Sequence, residues 1–525
     1  MGLVSIWFLL FLVVLFPLYY LTKKKYRWIT LLIASVVFYA LCSYKSIIFL
    51  LFTTVSVYFS ALAISKNRNR EKEIIEQGIE LEEKKLLKKR NKKIRKTYLI
   101  LGIVSIVVVL CLMKYMNFII DNVNLLGGLF GIDYKLKGVK WILPLGISFY
   151  TFQAIGYLAD VYWGKYEPEN NFFKFLLFMI FFPKIMQGPI IRYNDIHDSL
   201  FLGNDFDYDN FTDGLKRMVW GYFKKMVIAD CLVVVTTYAF SNALSLNGME
   251  AILGIFFYFI YDYCDFSGYM DISIGTSKCL GVKMPENFNH PYFAKGIDEY
   301  WRRWHMTLGT WFKDYLFYPL SVSKFSLKLG KKSKKIFKGF AKKIPGIFGL
   351  ILVWFTTGLW HGASWNYILW GLYFGLIIIL SIIFEPLFNK IFAKINRENI
   401  WFNIFRHVRT LLLLAFGKLL FEMNSIGGTI DYVSRMFVTK DFFVADNLIG
   451  VVGVPSIMVV LSASIIVLIV DLIQEIHPET SFIDKTKKWE LIFQWAAFIG
   501  LIVCIVWFGY YGSGLPRFEF GYMRF

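Results

Sequence analysis

The sequence predicts an all-α polytopic membrane protein, and three observations carry that prediction. Apolar stretches of about 20 residues, the length that matches the hydrocarbon thickness of a bilayer, recur from one end of the 525-residue chain to the other. The composition agrees, with 57% hydrophobic and 19% aromatic residues. Lysine and arginine gather between the apolar stretches, as expected of loops retained on the cytoplasmic side. The net charge of +20 therefore speaks for topology, and nucleic-acid binding is not expected.

Residues 3–20 form the first apolar run. No basic stretch precedes it and no small-residue cleavage site follows, so it reads as a span and not as a signal peptide. Lys23-Lys24-Lys25 and Arg27 come next, which places Met1 outside. Two spans later, the second of them residues 47–64, the chain is inside again at the charged segment 66–96. Glu and Lys mix there at helical spacing, which predicts a solvated cytoplasmic helix. Residues 98–113 are the next apolar run.

The middle is less regular. Leu143-Pro-Leu-Gly-Ile-Ser-Phe-Tyr150, Phe182-Pro-Lys-Ile-Met-Gln-Gly-Pro189 and Phe266-Ser-Gly-Tyr-Met-Asp271 set helix breakers or charges within apolar sequence. Non-helical backbone at membrane depth survives only inside protein or along a wet cavity. These segments therefore predict broken or re-entrant helices around a central funnel. Apolar runs resume at 347–384, 451–470 and 491–510. Lys485, Lys487 and Lys488 precede the last of these, which leaves residues 512–525 as an extracytoplasmic tail. About ten to twelve spans are expected, in one polytopic domain over residues 1–525. Six scattered cysteines lack paired metal spacing, so neither a disulfide nor a metal site is expected.

Three blocks concentrate the polar residues of the central part. The first, Tyr261 to Asp271, contains Asp265 and continues to Met284-Pro-Glu-Asn-Phe288. The second is Trp301-Arg-Arg-Trp304-His305, running on to Asp314-Tyr315. The third is Gly358-Leu-Trp360-His361-Gly-Ala-Ser-Trp365-Asn366. His361 lies within the long apolar run, where an ionisable group marks a functional site unless it is a structural histidine bonded to a neighbouring helix. A helix through the second block would put Trp301, Trp304, His305 and Leu308 on one face. An aromatic-belt helix with snorkelling arginines accounts for Arg302 and Arg303 but leaves His305 unexplained.

At these residues the chain resembles the membrane-bound O-acyltransferase family, and most strongly its bacterial branch of alginate and cell-wall-polymer O-acetylation proteins. The likeness rests on Tyr263-Cys-Asp-Phe-Ser-Gly-Tyr-Met-Asp271, Pro285-Glu-Asn-Phe288, Trp301-Arg-Arg-Trp-His305, Asp314-Tyr-Leu-Phe-Tyr-Pro319 and Leu359-Trp-His-Gly362. It is dense over residues 141–375, while the flanks agree in hydropathy and length. Gly309, where many relatives carry Ser, is a small departure. The resemblance implies a helical membrane fold in which two funnels meet near His361, with His305 as the second, more variable histidine. Trp304, Trp360, Asn366, Asp265, Asp271 and Asp314 fall in the same blocks and are the expected supporting pocket.

Acyl transfer from a thioester to a hydroxyl needs a base and a donor for the oxyanion, and neutral imidazole suits the first task. No hydrolase-type nucleophile elbow is visible. The tail Phe520-Gly-Tyr522-Met-Arg-Phe525 adds a second likeness, since many bacterial relatives or their partner peptides end in Phe-x-Tyr-x-x-Phe. The resemblance implies that Tyr522 carries the acyl group on the outer face, before an extracytoplasmic esterase-like transferase passes it on. An aromatic tail resting at the interface is the plainer alternative. The expected donor is acetyl-CoA, or an acyl carrier protein, on the cytoplasmic side. D-alanyl transfer to teichoic acid is the alternative within the family. A proton-coupled transporter or flippase is the alternative from another class.

Overall fold

Helices build the molecule almost entirely. The computed structural model describes residues 2–131, 135–141, 143–393, 399–423, 425–438, 441–479 and 482–511. Among these residues there is no strand beyond one isolated antiparallel bridge, Phe288 with Trp304. Among the described residues six helical stretches are long and apolar enough to cross a membrane, and Ile6–Leu21 is a shorter apolar helix. The sequence suggested about ten to twelve spans. The two numbers count different things: the stretch 24–76 joins two helices, Arg27–Ser43 and Ile47–Glu76, and central helices such as Gly248–Cys279 and Ile400–Glu422 carry ionisable residues that lower their hydropathy.

The chain divides into two compact units. The first comprises residues 1–212 and 276–285. Its α1 (Ile6–Leu21) starts at Ser5, whose hydroxyl accepts the Phe8 amide. α2 (Arg27–Ser43) and α3 (Ile47–Glu76) follow. α3 and α4 (Leu81–Leu110) lie antiparallel, with Ser56 bonded to Ser105 at 2.6 Å and Arg95 paired with Glu71 at 2.7 Å. The charged segment 66–96 is thus not one solvated helix. It is the far end of a two-helix hairpin in which Glu71 and Asn91 are buried.

Two of the expected interruptions occur in this unit. Residues 143–146 are non-helical before α5 (Ile147–Trp163), and Gly146 adopts φ 69°. A Cβ there would stand 2.0 Å from the Ile185 carbonyl, so only glycine fits. The short helix Phe182–Ile185 carries fully buried Lys184, whose Nζ donates to Gln153 Oε1 at 2.7 Å and sits 3.8 Å from the Phe178 ring centroid.

The second unit comprises residues 213–275 and 286–525. Its elements include the greater part of α6 (Tyr208–Tyr222) and of α7 (Gly248–Cys279). α8 (Ile297–Arg303), α9 (Met306–Phe312) and the lysine-rich α10 (Lys324–Phe337) follow. α11 (Ile344–His361), α12 (Trp365–Ile391), α13 (Ile400–Glu422), α14 (Val454–Ile476) and α15 (Leu491–Phe508) complete it. The third expected interruption, at residues 266–271, does not occur, because α7 runs through it unbroken. Its glycine serves close packing. A Cβ on Gly268 would stand 2.9 Å from the Gly221 carbonyl, and one on Gly221 would stand 2.6 Å from the Gly268 carbonyl. Small residues let helix backbones approach in this way.

Candidate active site

His361 ends α11, at the turn of the α11–α12 hairpin. The hairpin is tight: a Cβ on Gly358 would meet the Tyr367 carbonyl at 2.2 Å, and one on Gly371 the Trp354 carbonyl at 2.3 Å. Ser364 caps α12 by accepting the Asn366 amide. The His361 ring is buried among Trp370, Trp360 and Phe421, with centroids at 4.7, 5.0 and 5.5 Å. These edge-on contacts fix the imidazole plane.

His361 faces a cavity of about 420 Å³ within the second unit. Trp301, Trp304, Trp370 and Phe374 form aromatic parts of its wall, and Asp262, Asp265, Lys418 and Glu422 supply charge. The pairing of these charges is specific. Lys418 bonds Asp262 and lies 4.8 Å from the Trp304 ring centroid and 5.3 Å from that of Phe259. Tyr258 donates its hydroxyl to Glu422 at 2.6 Å. Lys225 bridges Asp265 and Asp230 at 2.5 and 2.8 Å. Lys225 belongs to a wide helical turn, Phe223–Ala229, inserted after α6.

The Trp301–His305 block is not a continuous helix, which corrects the expected shared face. α8 stops at Arg303, Trp304 is extended, and His305 takes a left-handed conformation (φ 49°, ψ 50°) before α9 begins. The extended link is held by backbone bonds from Asn289 N to Arg303 O and from Met306 N to Asn287 O, both 2.9 Å. Trp304 therefore turns to the cavity, while His305 packs edge-on to Phe266 at 4.9 Å and near Trp360 at 5.9 Å. His305 is buried, and burial without a charged partner disfavours a charged ring. Arg303 pairs with Glu299 and Glu475, and Arg302 with Asp298.

His361, Trp304 and Asp265 line the cavity together. His305 and Trp360 are in ring contact with two of the lining residues, Phe266 and His361 respectively. Asn366 donates to the carbonyl of Met423, itself a lining residue. Asp271 lies apart, held by Lys224 at 2.5 Å and Arg217 at 3.0 Å, and Arg217 also pairs with Glu286. Asp314 sits in the wide turn Lys313–Phe317, outside the lining. Tyr522 lies outside the described residues. Asp262, Lys418 and Glu422 were missed from the sequence. A signal existed for Lys418, a lone cation in the run Leu411-Leu-Leu-Leu-Ala-Phe-Gly-Lys418-Leu-Leu-Phe421.

A buried imidazole facing a cavity of aromatic and charged residues, in a chain of membrane-length apolar helices, marks an integral membrane protein with an internal chamber. The model of MBOAT, the membrane-bound O-acyltransferase family, matches residues 168–419. The probable alginate O-acetylase AlgI of Pseudomonas aeruginosa is 32% identical over 423 residues, covering 80% of this chain and 72% of that protein. The peptidoglycan O-acetyltransferase of Helicobacter pylori is 31% identical over 374 residues, covering 66% and 63%. The teichoic acid D-alanyltransferase of Bacillus subtilis is 32% identical over 283 residues, covering 53% and 68%. The chain belongs to the membrane-bound O-acyltransferase family and is an acyltransferase.

Proposed function

We propose that this enzyme O-acetylates a cell-surface polysaccharide or peptidoglycan from a cytoplasmic thioester, acetyl-CoA in the first instance, in the cell membrane. The observation that carries the reading is His361, an imidazole packed between aromatic rings and facing a cavity of about 420 Å³ lined by aromatic and charged side chains. In the step proposed, an acceptor hydroxyl oxygen bonds to the thioester carbonyl carbon as His361 takes its proton. The tetrahedral intermediate then collapses, the carbon–sulfur bond breaks, and the thiolate leaves with that proton. Restricting both reactants to a chamber of this size supplies orientation.

Tyr522 is the proposed acceptor hydroxyl and outward carrier, from which an extracytoplasmic esterase-like transferase takes the acetyl group. Its reach is ample. The amide of Tyr510 donates to the Met226 carbonyl at 2.8 Å, in the same wide turn as Lys225. Twelve residues from there to Tyr522 extend to at most about 40 Å. The likeness to a teichoic acid D-alanyltransferase favours D-alanyl transfer as the second reading.

The test presents the purified protein with radiolabelled acetyl-CoA and, separately, with a D-alanylated carrier protein. Labelling from acetyl-CoA, with a mass shift on the C-terminal peptide that Tyr522→Phe abolishes, is expected. Label from the carrier protein alone moves the assignment to D-alanylation. A Tyr522→Phe variant that acetylates polymer at the wild-type rate removes the carrier role. A protein that takes no label from either donor overturns both donor assignments.

A further inference from the structure

The turn that carries His305 hangs on one buried side chain, Asn287. Asn287 Oδ1 accepts the backbone amide of Thr307 at 3.0 Å and its hydroxyl at 2.9 Å. Two donors fill the two lone pairs of that oxygen. The amide orientation is thereby fixed, since the reverse would set an NH2 group against the Thr307 N–H. Nδ2 consequently faces His305 Nδ1 at 3.1 Å and the Met270 sulfur at 3.5 Å. The contact of His305 Nδ1 with Oδ1 is longer, 3.3 Å, and meets an oxygen already doubly bonded to donors. Nδ1 is therefore the acceptor, and in a neutral ring the proton then sits on Nε2. The backbone adds a second hold: Met306 N donates to the Asn287 carbonyl at 2.9 Å, steadying the left-handed φ of 49° at His305.

We propose that Asn287 is a positioning residue that holds His305 as its neutral Nε2–H tautomer, so that His305 serves acyl transfer as a hydrogen-bond donor while His361 serves as the base. The proposal rests on the reading that His305 takes part in transfer. Asp at position 287 keeps the oxygen that Thr307 needs and replaces the donor NH2 with an acceptor. It would draw the imidazole proton to Nδ1 and leave Nε2 a lone pair. The wrong tautomer, not a lost fold, is the predicted defect.

The experiment measures kcat and KM for transfer from the thioester donor, in purified full-length protein, alongside melting temperature. Asn287→Asp is expected to lower kcat as much as His305→Ala does, about 100-fold for a lost donor, with KM within about threefold. Adding Asn287→Asp to His305→Ala should cost nothing more, because residues acting through one another are not additive. His305→Gln, which offers an amide N–H near the Nε2 position, should stay at least about tenfold faster than His305→Ala. Wild-type kcat in Asn287→Asp beside an impaired His305→Ala overturns the proposal. So do losses that multiply in the double variant. If Asn287→Asp does not fold, His305→Gln decides: activity no better than His305→Ala overturns the donor role. A wild-type rate in His305→Ala removes the underlying reading of His305, and is seen before Asn287 is touched.

Discussion

Removing the carboxylate of Asp262 leaves Lys418 as a cation inside an aromatic box, and the consequence can be worked from the structure. The side chains are 22% and 8% exposed respectively, so both charges are largely desolvated. Removing one partner of a buried pair costs about 3–5 kcal/mol. Two features reduce that figure here. Asn at position 262 still accepts a hydrogen bond from Lys418, and the Trp304 and Phe259 rings give the stranded ammonium about 0.5–1 kcal/mol each. Asp262→Asn should therefore destabilise by about 2–3 kcal/mol, a factor of about 30–150 in the folding equilibrium. The double variant Asp262→Asn/Lys418→Met removes both charges and should recover to within about 1 kcal/mol of wild type. Reversible unfolding in mixed detergent micelles measures the four corners of this cycle. Purely additive effects, or a single variant as stable as wild type, would refute the assignment of this pair as a buried, mutually dependent unit.

Three further outcomes follow from the same structure. His361→Ala should fold and insert, yet lose about 10³-fold or more in kcat, beyond the loss in His305→Ala; equal losses at the two histidines would require a more symmetrical mechanism. Gly221→Ala should lower the melting temperature, because its Cβ would fall 2.6 Å from the Gly268 carbonyl of α7, and backbone cannot yield as a side chain can; an unchanged melt would show that α6 and α7 are free to separate. Neutralising Lys324, Lys328, Lys331 and Lys332 should flatten the salt dependence of donor KM if their charge attracts the phosphates of coenzyme A. A salt dependence that survives leaves these lysines with topology alone.

The sequence by itself determined the membrane class and singled out the basic segments between apolar helices and the two candidate histidines, because hydropathy and lone polar residues in apolar runs are properties of local sequence. It also located the interruptions at residues 143–146 and 182–189, where Pro and Gly act on their own backbone. It misread residues 266–271, since a glycine that lets α6 approach α7 carries the same letter as one that breaks a helix. The same limit applied at Trp301–His305. Periodicity suggested one helical face, but bonds from Asn287 and Asn289, more than ten residues earlier, pull the chain into an extended link and a left-handed turn. Which carboxylate meets which cation was decided by tertiary structure alone. Lys418 and Asp262 are 156 positions apart, and only helix packing brings α13 against α7 to seat that pair in the chamber of His361. Burial then makes each charge depend on its partner, a dependence that no local pattern in the chain can encode.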